Sequence, residues 1–139
     1  MSPIVERLAV LRQQLDHLRS LRPRLSGVQS LKDDLSLRND ILYALVAICQ
    51  VVIDVASEFS ARRGERFEDY TEAVRNLVHD RRFAPELVEK LVALPGFRNV
   101  LVHEYVSIDL NRVVAALDQL DVLEQFLQSA SAVADEDMR

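Results

Sequence analysis

The sequence predicts an all-α protein, a four-helix up-and-down bundle with additional short helices, and three observations carry that expectation. Helix breakers are scarce, with 3 Gly and 4 Pro in 139 residues, and aromatics make up only 6%. Leu, Val, Ala and Arg dominate instead, which is the composition of a helical chain rather than a turn-rich β-protein. Apolar residues recur at intervals of three and four through most segments, the period of a helix with one buried face. The stretch from Ile41 to Val55 is apolar on nearly every side, so its helix belongs at the centre of the bundle. An apolar content of 49% suffices for one packed core, so residues 1–139 read as a single domain.

Each element follows from its own signals. Ile4, Leu8, Leu11, Leu15 and Leu18 form one stripe on a first helix, which Pro23 ends or kinks. A second and longest helix is expected to start at Ser30, with Asp33 three residues on as in a capping arrangement, and to run to about Ala61 before Gly64. Within it Asp54 stands out, because a carboxylate in such surroundings is costly unless it meets a cation such as Arg or lies at the rim of a site. Tyr70, Val74, Leu77 and Val78 give a short third helix, followed by the basic loop Asp80-Arg81-Arg82.

Pro85 suits the first position of a fourth helix whose inner face is Leu87, Val88, Leu91, Val92 and Leu94. Pro95-Gly96 then punctuates the chain ahead of a short segment from Phe97 to about Tyr105. Asp109 is placed to cap a last helix with the stripe Val113, Leu117, Leu120, Leu123 and Leu127, and the acidic tail, residues 131–139, is expected to fray. A bundle this small with so oily a central helix would bury more surface as a homodimer.

Several function classes are disfavoured. A net charge of −5 argues against nonspecific coating of nucleic acid, and DNA is not an expected partner, although arginine clusters at 19–24, 62–66 and 81–82 leave room for a local basic groove. No unbroken apolar run stands at the N-terminus, and the apolar stretch 41–55 is short and interrupted by Gln50 and Asp54. The expectation is a cytoplasmic protein with no membrane association. Cys49 has no partner in the chain and reads as a small buried hydrophobe. His17, His79 and His103 are far apart, and there is no Cys pair, no His-x3-His and no Gly-rich phosphate loop, so neither a metal site nor a cofactor is expected. Spacing alone leaves a Ser/His/Asp triad open, but no serine sits in a nucleophile turn.

Arg98, Asn99, His103 and Tyr105 crowd into eight positions between a Pro-Gly break and a helix cap. On a regular helix Asn99 and His103 share a face, as do Arg98 and Tyr105, whereas Arg98 and His103 point about 140° apart. One ideal helix therefore presents two polar edges; either it bends, or the edges meet their counterparts from a second chain. Singly, each residue has a structural reading: a histidine bonding a carbonyl, an arginine paired with Asp54 or Glu104, a tyrosine with a wet hydroxyl. Their joint occurrence is harder to explain that way.

The string Phe97-Arg98-Asn99-Val100-Leu101-Val102-His103-Glu104-Tyr105, followed by Ile108-Asp109, resembles the Arg-polar-x3-His-x-Tyr signature of HEPN domains of the HepT type. Arg38 to Asp54 resembles that family's central helix, and the resemblance spans about residues 30 to 120. It implies a metal-independent endoribonuclease of a type II-like or type VII toxin–antitoxin pair, acting on RNA in a groove between two subunits. It also implies a partner, a minimal nucleotidyltransferase antitoxin of the MntA type, which transfers AMP to the tyrosine matched by Tyr105. Arg98 and His103 then take catalytic roles, with Asn99 and Asp54 in support. The rival readings are a non-catalytic HEPN module that docks a nucleotidyltransferase or a nucleotide, and a purely structural dimerisation bundle.

Overall fold

A computed structural model describes residues 3–137, and among them every regular element is helical. Helix α1 (Pro3–Leu21) buries Ile4, Leu8, Leu11, Leu15 and Leu18, the stripe read from the sequence, and extends it with Leu21. Pro23 lies in a 3₁₀ turn, Arg22–Arg24, that ends the helix as expected. The bundle is built around α3 (Leu35–Arg62), with α1 and α6 (Leu94–His103) packed along it and α8 (Leu120–Asp137) against α1. The shorter α2 (Val28–Asp33), α4 (Tyr70–Arg75), α5 (Pro85–Leu91) and α7 (Leu110–Leu117) close the gaps. A single apolar core runs from Ile4 to Ala134.

The start of the long helix differs from expectation. Ser30 lies inside α2, where its Oγ accepts from Ser26 N at 3.0 Å, and the chain then breaks at Asp34. Asp34 is extended (φ −120°, ψ 97°), and its side chain accepts from Leu37 N at 3.0 Å, making it the true cap of α3. The far end of α3 is closed by a Schellman motif: Gly64 N donates to Ala61 O and Glu65 N to Ser60 O. That motif needs a left-handed residue, and Gly64 has φ 68°.

By length and composition alone α3 could cross a membrane: its most apolar window has a mean hydropathy of 1.8, over a helix longer than the 41–55 stretch suggested. However, 61% of that window is buried in the bundle, which accounts for its apolar character.

Three further expectations need correction. Pro95 and Gly96 do not interrupt the chain but sit in the first turn of α6, where proline lacks only an amide that has no intrahelical partner. The last apolar stripe spans two helices, since the chain turns at Asp118 and Gln119 between α7 and α8. Asp109 does cap α7, accepting from Asn111 N at 2.9 Å. The tail continues as helix to Asp137, because Val133 and Ala134 carry on the buried face that passes through Ala130; residues 138 and 139 lie outside the described part.

Candidate functional site

Helix α6 carries the motif, and its orientation is fixed by what it buries. Leu101 is fully packed against α3, with Leu94 and Phe97 partly buried beside it. This turns Arg98 onto one flank of the buried edge and leaves Asn99 and His103 outward, both exposed.

Arg98 is half-buried, with its Cζ 5.9 Å from the ring centroid of Tyr70 on α4, a cation–π contact. Its Nε is buried without a hydrogen-bond partner, and among the described residues Arg98 pairs with neither Asp54 nor Glu104. Such a guanidinium is held in place by its contact with the ring and keeps donors that can pair with two oxygens of a phosphate.

Asp54 is satisfied elsewhere. Gln50 Nε2 donates to its Oδ1 at 2.9 Å, and Arg7 Nε lies 3.7 Å from Oδ2, so the anticipated pairing with an arginine is present. Asp54 still shares a depression with Arg7, Ser57 and Tyr70, which places it one side chain away from Arg98.

His103 is the last residue of α6. Its side chain makes no hydrogen bond or ion pair among the described residues, and neither does that of Asn99 one turn before it. The single chain does not pair His103 with Arg98; they stand on different sides of one continuous helix, as the spacing predicts.

Tyr105 follows in the turn after α6, 44% exposed, and its hydroxyl donates to Asn39 Oδ1 on α3. Around it Tyr43 (68%), Val102 (46%) and Val106 (98%) leave an apolar surface open, beside a shallow depression lined by Leu42, Val46 and Leu101. Among the described residues no group of three His, Cys, Asp or Glu side chains is arranged to hold a metal ion. Burial pushes the Cys49 thiol up to about 12, against the opposing charge of Arg98, which fits an inert core residue rather than a nucleophile.

Tyr70, Asn39 and Arg7 were not singled out in the sequence for the contacts they make. Tyr70 carried a signal, a polar-tipped aromatic at the edge of an apolar stripe. Asn39 and Arg7 carried none, since their partners lie far along the chain.

The bundle has the architecture of HEPN toxins. It superposes with a TM-score of 0.80 on an AMPylated Shewanella oneidensis HEPN toxin determined in complex with its MNT antitoxin, at 21% identity over 95% of this chain and 99% of that one. It superposes with a TM-score of 0.78 on a chain of a toxin–antitoxin crystal structure with AMP-PNP, at 20% identity over 94% and 99% of the two chains. The ribonuclease HepT-like family matches residues 11–130, and the chain belongs to that family. A candidate RNase of Archaeoglobus fulgidus is 28% identical over 95 residues, 68% of this chain and 72% of that protein.

Proposed function

We propose that the protein is a metal-independent endoribonuclease, the toxin of a toxin–antitoxin pair, whose groove forms between two copies of the chain. The observation that carries this is the state of Arg98 and His103 on α6. One is a stacked guanidinium with a buried, unpartnered donor, and the other an exposed imidazole bound to nothing in its own chain.

Cleavage of RNA without a metal needs the ribose 2′-hydroxyl to attack the adjacent phosphorus in line while its proton is removed. The bond to the leaving 5′-oxygen breaks as that oxygen receives a proton, and a 2′,3′-cyclic phosphate results. Arg98 neutralises the charge that builds on the phosphorane oxygens. His103 moves protons, and the histidines of two copies divide the base and acid roles. Asn99, one turn from His103, orients the substrate, and Asp54 acts at a distance through Arg7 and Tyr70. Pairing of two copies is supported by the exposed Tyr43, Val102 and Val106 beside the motif.

Tyr105 is the proposed control point. Released from Asn39, its hydroxyl attacks the α-phosphorus of ATP in the site of a cytoplasmic nucleotidyltransferase antitoxin, losing its proton and releasing pyrophosphate. The negative adenylyl groups then repel RNA from the groove. The AMPylated state of the Shewanella toxin supports this reading.

The test is cleavage of total RNA by purified protein in excess chelator. Wild type is expected to cut and His103→Ala to lose at least about a hundredfold of the rate while staying folded, since general acid–base groups supply about 10²–10⁴. Intact mass after co-expression with the transferase should show AMP on Tyr105. No cleavage by folded, unmodified wild type would instead favour the docking-module reading.

A further inference from the structure

A second concave feature, separate from the motif residues, lies where α3, α6 and the α7–α8 turn converge. It is a cavity of about 340 Å³ walled by Leu45, Ile48, Leu94, Phe97, Val122 and Leu123, with the Cys49 thiol among its lining groups. That size is at the lower end of small-molecule sites, which span about 300–1,000 Å³ and are apolar with a few placed polar groups. Here the polar groups are Lys90, Arg112 and Gln119, and no carboxylate lines the cavity.

The charge lining this cavity is of one sign. The chain has 22 acidic against 17 basic residues, and Arg7, Arg12, Arg19, Arg22, Arg63 and Arg82 each meet a carboxylate. Among the described residues Lys90 and Arg112 meet none, and Arg112 is instead held with its Cζ 5.6 Å from the centroid of Phe97, itself a cavity wall. Two cations without counter-charges beside an apolar hollow are complementary to one ligand chemistry, an anionic head on an aliphatic body.

We propose that this cavity binds a medium-chain aliphatic carboxylate, its tail among the α3, α6 and α8 walls and its carboxylate between Lys90 and Arg112. A docked protein segment is less suited to the site. The exposed large apolar residues that such docking would use, Tyr43, Val102 and Val106, are not among the groups that line it. The proposal is independent of the ribonuclease reading, since neither Arg98 nor His103 takes part.

The test is titration calorimetry with decanoate and with decanol, both below concentrations that form micelles. Wild type is expected to bind decanoate at one site per chain, at tenfold or more lower concentration than decanol, and Lys90→Gln/Arg112→Gln should bind decanoate at least tenfold more weakly and lose the preference. Absence of a calorimetric site, or equal affinity for decanol and decanoate, would overturn the proposal. So would decanoate binding that vanishes as protein concentration rises or when a transferase is added, because the face would then be covered by protein.

Discussion

At the scale of single residues, the candidate site is a set of side chains whose neighbours define what each can do. Arg98, Asn99, His103 and Tyr105 were legible in the sequence because they fall within one short run, and helical geometry alone separates Arg98 from His103. The residues that hold them were not, because Tyr70 reaches Arg98 and Asn39 reaches Tyr105 through space. The ring of Tyr70 supplies the stacking, so its hydroxyl should matter little. Tyr70→Leu is expected to lower cleavage about twofold to fivefold, given about 0.5–1 kcal/mol for a cation–π contact of this kind, while Tyr70→Phe stays near wild type. Steady-state rates on a short RNA check this; equal losses in both variants would move the role from ring to hydroxyl.

At the scale of elements, periodicity found nearly every buried stripe but not every break. The inner stripe of the last two helices passes straight across the turn at Asp118 and Gln119, so nothing in the apolar pattern marks it. Pro95-Gly96 read as a stop because both residues break helix interiors, yet the first turn of α6 tolerates them. At the start of α3 the sequence points to Ser30 as the cap, whereas the structure places it four residues on, at Asp34. Asp34→Ala should therefore cost about 1 kcal/mol, the usual worth of a cap, whereas Ser30→Ala stays within about 0.5 kcal/mol. Urea unfolding of the two variants distinguishes them, and the reverse order would return the cap to Ser30.

At the scale of the whole molecule, α1 and α8 are tied by a charged cluster. Glu124 accepts from Arg12 Nη1 at 3.0 Å and from Arg19 Nη1 at 2.7 Å, and these bonds hold its carboxyl well down, from the ordinary 4.5 to about 2. A depressed folded value means stability that is fully present above pH 4.5 and lost as pH falls towards 2. Glu124→Gln is thus expected to destabilise the protein by about 1–2 kcal/mol at pH 7, allowing for solvent screening, and to match wild type near pH 2. Chemical unfolding at both pH values measures it, and a pH-independent difference would assign the loss to packing. The bundle itself was legible because one oily helix had to be surrounded; the ties across its surface were not, since Arg12 and Glu124 are 112 residues apart.

The buried Nε of Arg98 sets two demands on the molecule against each other. An unmet donor away from water costs about 1–3 kcal/mol, more than the stacking on Tyr70 returns. Arg98→Met should therefore melt at a higher temperature than wild type while cutting no RNA. A screen that rewards thermal robustness alone would drift towards inactive proteins at this position, and arginine would survive there only where cleavage itself is selected.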